Sequence, residues 1–289
     1  MTSGSSADLA AALGGFAAGR AALAAGVTVA PLAGGGSNRT FRVTSTAGDW
    51  AVRLGGAADQ TFGINRAAER QVHAAAAAAG FAPPLVHVDP ARGTLIAEFV
   101  AGRAPTRDEL RSPGGLRALG TRLRELHALP PPRGVRRVDV HEVLAHYLEL
   151  RDVAPGPVPR AELAGQLRWS LATYRQTAVA LCHNDLHWRN LIDAGPLCFV
   201  DWEYGGVGDP LFELAAVVGY HDLDAEQRAA LLAAHGGNFK PAHVEQMCRV
   251  FDCLHALWLD AAGGWDALEA ERRAALLARL AVDPAQREQ

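Results

Sequence analysis

The period of the apolar pattern changes once along this chain, and that change limits the fold more than any single residue does. Over the first hundred residues apolar side chains mostly come in short runs separated by Gly, Asn and Asp, the signature of short strands and tight turns. From Thr106 onward they recur at three- and four-residue spacing, as Leu116, Leu119, Leu123 and Leu126 do, which is the mark of helices burying one face. The expected fold is therefore α+β, with sheet and helix segregated along the chain.

In detail, the pattern predicts a helix over 8–25, strands over 27–33, 40–45 and 50–54, and a helix over 65–79 stopped by Gly80 and Pro83-Pro84. Strands over 85–88 and 94–99 follow. Gly34-Gly35-Gly36-Ser37-Asn38 and Ala47-Gly48-Asp49 form the turns between the first three strands. Beyond the triple proline 130–132, helices are expected over 141–151 and 160–177, and from Pro210 to the end. Two short apolar runs, Leu181-Cys182 and 197–200, interrupt them. Residues 1–100 thus read as a small antiparallel sheet with one main helix, and 101–289 as a larger, mostly helical part.

Composition excludes several classes. Lys plus Arg number 28 against 31 Asp plus Glu, so no global positive field draws nucleic acid or an anionic membrane. Cys182, Cys198, Cys248 and Cys253 form no C-x-x-C pair and read as reduced. The alanine-rich start carries Asp8 and Arg20 and lacks the basic region of a leader, and no apolar run reaches membrane-spanning length. A cytoplasmic protein is expected.

The chemistry concentrates in "CHNDLHWRNLI", starting at Cys182, and "CFVDWEYGGVGDPLFELA", starting at Cys198. His183-x-Asp185 with Asn190 five residues after the Asp, then Asp201 after a short apolar strand, is the arrangement of kinase catalytic centres. The four intervening residues let Asp185 face an acceptor hydroxyl as base while Asn190 turns back toward a metal. Asp201 supplies that metal with a carboxylate, and such hard oxygen ligands suit Mg²⁺ on nucleotide phosphates. Upstream, the turn through Gly35, Gly36, Ser37 and Asn38 offers backbone N–H groups to phosphate oxygens.

On these motifs, together with "GGGSNRTFRV" and "WAVRLGG", the chain resembles the aminoglycoside phosphotransferase and choline kinase superfamily, most of all its bacterial choline kinase and thiamine kinase branch. The resemblance implies a bilobal protein-kinase-like fold and Mg²⁺-dependent transfer from ATP to a hydroxyl of a small alcohol such as choline, ethanolamine or thiamine. It implies further that Arg53 stands where many kinases carry Lys, that Glu69 is its acidic partner, and that 98–100, with Glu98 and Val100, borders adenine. The guanidinium keeps a permanent charge and a two-pronged donor face.

For the acceptor, Trp202, Tyr204, Trp258 and Trp265 with Glu203, Asp252 and Asp260 suggest a site for a cationic alcohol; Glu203, Tyr204 and Trp258 are its candidates. Trp258 also sits at helical spacing from Leu254 and Phe251, which fits core packing. His183 is expected to be structural, His187 to touch substrate or solvent, and Asp209-Pro210 to cap a helix. Two other functions are compatible with these residues: an antibiotic O-phosphotransferase acting on aminoglycosides, and a nucleotide-binding pseudokinase.

Overall fold

The computed structural model describes residues 3–32, 38–55, 59–150, 153–172, 174, 176 and 178–281. In chain order these form α1 (Ser3–Gly14), α2 (Ala17–Ala25), β1 (Thr28–Pro31), β2 (Arg39–Ser45), β3 (Gly48–Leu54), α3 (Arg66–Ala78), β4 (Leu85–Asp89) and β5 (Thr94–Glu98). Next come α4 (Arg107–Arg111), α5 (Pro113–His127), α6 (Val140–Glu149), α7 (Arg160–Ala172), β6 (Ala180–Cys182), β7 (Leu191–Asp193), β8 (Leu197–Phe199) and β9 (Gly206–Gly208). The chain continues with α8 (Pro210–Tyr220), α9 (Ala225–His235), α10 (Pro241–Ala262) and α11 (Ala270–Ala281). It packs into two compact units, the first of Met1–Gln60, Ile64–Pro105 and Arg189–Glu203, the second of Thr61–Gly63, Thr106–Trp188 and Tyr204–Gln289.

The first unit is built on a five-stranded antiparallel sheet in the order β1-β2-β3-β5-β4. Alternation along β3 sends Trp50, Val52 and Leu54 to one face, where they pack with Phe41, Val43, Ile96 and with Leu9 and Leu13 of α1. The same alternation sends Arg53 to the opposite face. A single helix expected over 8–25 is instead two helices, because Phe16 is extended (φ −141°, ψ 160°) and its ring stacks on His87 and edges onto Trp50. The Gly14-Gly15 pair sits at that break and is its sequence signal. Residues 189–203, which a division at residue 100 assigns to the helical part, group with the sheet: Phe199 N–H donates to Phe81 O at 2.7 Å and Asp193 N–H to Arg103 O at 2.8 Å.

The second unit is helical around α10, whose Val250, Cys253, Ala256 and Leu257 are fully buried beside Leu163 of α7 and Phe212 of α8. The four leucines of α5 are all buried as their spacing predicts. Helix α7 is described over Arg160–Ala172; of its expected extension to 177, residues 174 and 176 are not helical and 173, 175 and 177 lie outside the described residues. Among the described residues no helix is long and apolar enough to cross a membrane.

Where α5 meets α9, a Cβ on Gly120 would lie 2.7 Å from Ala234 Cβ and 2.8 Å from Leu231 O. Gly120→Ala gains about 1 kcal/mol of helix propensity and loses about 1–3 kcal/mol to overpacking against a backbone oxygen. The contact outweighs the propensity, so the urea midpoint of Gly120→Ala is expected to fall; a rise would mean that α5 and α9 separate freely.

Candidate active site

In the first unit the site is organised by Arg53. Being on β3 facing away from the apolar layer, it meets Glu69, on the first turns of α3. Asn65 caps that helix by accepting the Ala68 N–H at 3.0 Å. Arg53 Nη1 and Nη2 bond the two Glu69 oxygens as a fork, Nη2 to Oε2 at 2.7 Å, and Nη1 also reaches Asp201 Oδ1 at 2.6 Å. Burial opposes the charge on both partners, yet Glu69 and Asp201 hold Arg53 above its ordinary value, and Arg53 with Arg66 holds Glu69 below the ordinary carboxylate range.

The β7–β8 hairpin brings the two residues proposed as metal ligands together. Val200 N–H donates to Asn190 O at 3.0 Å, so Asn190, just before β7, stands across from the residue preceding Asp201. Asp201 has φ +65°, a left-handed conformation uncommon for a residue other than Gly. Its side chain is 24% exposed, whereas those of Glu69 and Glu203 are 1% and 5% exposed.

Sequence reasoning missed Arg66, Asp59 and the true place of Asn38 and Glu203. Arg66 Nη1 bonds Glu69 Oε2 (2.9 Å) and Glu203 Oε2 (2.8 Å), while its Nε and Nη2 clasp Asp59 at 2.7 and 2.6 Å. Asn38 donates to Glu203 at 3.0 Å and accepts from Arg66 at 3.1 Å, so its side chain serves this cluster. Glu203, expected among the acceptor residues, stands in this cluster, with its carboxylate bonded by Arg66 and Asn38. Burial, and after it Asp201, push Glu203 up to about 7. Four carboxylates thus surround two guanidinium groups, and carboxylate oxygens of Glu69, Asp201 and Glu203 all lie within 4.8 Å of one another. An excess of negative charge made of hard oxygen donors fits a divalent cation such as Mg²⁺.

Gly35, Gly36 and Ser37 lie outside the described residues. Glu98, at the end of β5, is exposed; its N–H donates to Pro84 O at 2.9 Å, and Val100 follows half-buried.

In the second unit Asp185 stands on a turn after β6. Its Oδ1 accepts from Tyr220 Oη at 2.6 Å, its Oδ2 lies 3.8 Å from His187 Nε2, and its N–H donates to His183 Nδ1 at 3.3 Å. Burial, and then Asp185, raise the Tyr220 phenol far above its ordinary value, so it remains a donor to the carboxylate. The turn is tight: Asn184 has φ +66° and its side chain donates to Tyr204 O at 3.1 Å. Glu213 of α8 accepts both the His183 N–H (2.5 Å) and the Asn184 N–H (2.9 Å) on Oε1. Asp209 caps α8 as expected, accepting the Leu211 N–H at 2.9 Å, and also takes the Tyr174 hydroxyl.

Of the acceptor candidates, Tyr204 and Trp258 do meet, Trp258 Nε1 donating to Tyr204 Oη at 3.3 Å with the Phe62 ring 5.7 Å from Trp258. The acidic residues grouped with them are engaged elsewhere. Asp252 takes Arg279 Nε at 3.0 Å and Asp260 takes Trp265 Nε1 at 2.7 Å.

Protein LicA of Haemophilus influenzae is 36% identical over 86 residues, 27% of this chain and 32% of its own length, so the matched segment spans about a third of that curated relative. A structure described as a choline/ethanolamine kinase family protein from Mesorhizobium loti superposes with TM-score 0.73 at 28% identity, covering 96% of this chain and 92% of its own. A structure of an aminoglycoside-3'-phosphotransferase of type VIII gives TM-score 0.59 at 20% identity, covering 79% and 94%. The chain shares the α+β, protein-kinase-like fold of these proteins. Residues 28–247, which carry the Arg53 cluster, the Asp185 turn and the Asn190–Asp201 hairpin, match the phosphotransferase enzyme family, and the chain belongs to that family.

Proposed function

We propose that the protein is an ATP-dependent kinase that phosphorylates a hydroxyl of a small alcohol of the choline or ethanolamine type. One observation carries this reading: Arg53 joins Glu69 to Asp201, residues 16 and 148 positions away in sequence, in one buried ion cluster. A degenerate kinase has no need to keep that junction intact, so the cluster argues against the pseudokinase reading. In this account Arg53 steadies the nucleotide phosphates, Gly35, Gly36 and Ser37 cover them, Glu98 and Val100 border the adenine, and Asp185 orients the acceptor hydroxyl and takes its proton. Asn190 and Asp201 hold Mg²⁺, which when bound neutralises phosphate charge. Tyr204 and Trp258 offer ring faces to a cationic acceptor. A cytoplasmic location goes with this proposal, because the reaction would draw on ATP.

Asp201→Ala removes the most exposed of these three clustered carboxylates, and the Mg²⁺ concentration for half-maximal rate is expected to rise about tenfold or more. An unchanged Mg²⁺ dependence would remove Asp201 from the metal site. The acceptor class is tested by kcat/KM on a panel of choline, ethanolamine, thiamine and an aminoglycoside. Choline or ethanolamine is expected to lead; an aminoglycoside in first place would favour the antibiotic reading, which the shared fold also supports.

A further inference from the structure

The Glu213 carboxylate that holds the turn before Asp185 is itself held from behind by two histidines. Its Oε2 lies 2.5 Å from His127 Nε2, at the end of α5, and His127 Nδ1 lies 2.9 Å from His235 Nε2, at the end of α9. The far nitrogen of His235, Nδ1, accepts the Gly237 N–H at 3.2 Å, just past the left-handed Gly236 that ends α9.

These contacts fix every proton in the series. A backbone N–H can only donate, so His235 Nδ1 is a lone pair and the ring carries its proton on Nε2. That proton points at His127 Nδ1, which must accept, leaving the His127 proton on Nε2, directed at Glu213 Oε2. Oε1 then receives the N–H groups of His183 and Asn184. From Gly237 through His235 and His127 each bond is donated toward Glu213, and the His183 and Asn184 N–H groups donate to the same carboxylate from its other side.

The surroundings suit an uncharged His235 ring. His235 is 7% exposed, packs on Phe239 with ring centroids 5.4 Å apart, and is lowered to about 4 by burial, then by His127, with Arg124 acting in the same sense and Glu213 opposing. Beside His127, the Cys182 thiol lies 4.0 Å from Nε2 and donates to Ala180 O; burial and Glu213 raise it well above its ordinary value, so it carries no charge and its sulfur is a weaker acceptor for that proton than the Glu213 carboxylate at 2.5 Å.

We infer that His235 is a positioning residue for Asp185: it sets the tautomer of His127, which orients Glu213 and so fixes the His183–Asn184 turn from which Asp185 projects. The effect on turnover rests on the kinase reading above; the effect on the turn does not. A side chain that cannot donate to His127 Nδ1 frees His127 to place its proton there, and Glu213 then loses a donor and the turn its fixed anchor.

The test uses the full-length chain in three forms: wild type, His235→Leu, which removes the donor, and His235→Gln, whose amide restores an N–H near the same point. Long-range ¹H–¹⁵N spectra of wild type are expected to show His127 with its proton on Nε2; a proton on Nδ1 overturns the inference. His235→Leu is expected to lose about tenfold to hundredfold in kcat with KM unchanged, to expose the His183 and Asn184 amides to faster hydrogen exchange, and to be rescued in both by His235→Gln. Unchanged kcat and exchange in His235→Leu, or equal losses in Leu and Gln, overturn it. If wild type phosphorylates no alcohol, the kinase reading fails, and the tautomer and amide exchange still decide the relay.

Discussion

Asp185→Asn is expected to lower kcat by about 10²–10⁴-fold, the range a positioned general base contributes, with nucleotide affinity and melting temperature close to wild type. The amide is the same size as the carboxylate, and its oxygen still accepts the Tyr220 hydroxyl that now sits 2.6 Å from Oδ1. What is lost is the ability to take a proton from the acceptor. Because Glu213 anchors the turn through the backbone of His183 and Asn184, the side-chain change leaves the turn in place. Steady-state kinetics with calorimetric nucleotide binding separates the two quantities. A variant that turns over at the wild-type rate shows that Asp185 is not the base.

Arg53→Met is expected to damage both fold and activity. It leaves Glu69, 1% exposed, with Arg66 as its remaining guanidinium and leaves Asp201 without the Arg53 bond. Removing one partner from a buried ion pair costs about 3–5 kcal/mol, because the other charge stays buried, so a melting temperature lower by roughly ten degrees is expected. The double variant Arg53→Met with Glu69→Met removes both charges, and Arg66 keeps Asp59 and Glu203. It should recover most of the lost stability while turnover stays low. Recovery of turnover together with stability would reduce Arg53 to a purely structural residue.

How far the sequence reached is clearest at residues whose roles follow from spacing. Asp185, Asn190 and Asp201 were legible as candidates because a fixed interval and a short apolar strand place them, and the strand exists as β8. Arg53 and Glu69 were legible only through resemblance, since nothing local says that an Arg on a strand will face a helix 16 residues later. Arg66 was hidden because an Arg on the first turn of a helix reads as solvated, although here it is 7% exposed. Glu203 was grouped with the acceptor candidates by adjacency alone. It stands between Trp202 and Tyr204 in a 3-10 turn, where successive side chains diverge by a third of a turn, so neighbours in sequence need not share a site. Glu213 did leave a signal: a lone acid, fully buried, among Leu211, Phe212, Leu214 and Ala215 must have partners worth the burial. The break at Gly15-Phe16 also left a signal, the Gly14-Gly15 pair, which the alanine-rich stretches on either side outweighed in a reading of one continuous helix.

The central claim is phosphoryl transfer from ATP to an alcohol at Asp185, and product mass spectrometry tests it most directly. Wild type and Asp185→Asn are incubated with Mg²⁺-ATP and choline or ethanolamine. The account predicts an O-phosphorylated alcohol accumulating with ADP for wild type and only traces for the variant. Equal product from both, or ATP bound by wild type with no phosphorylated alcohol formed, would contradict it.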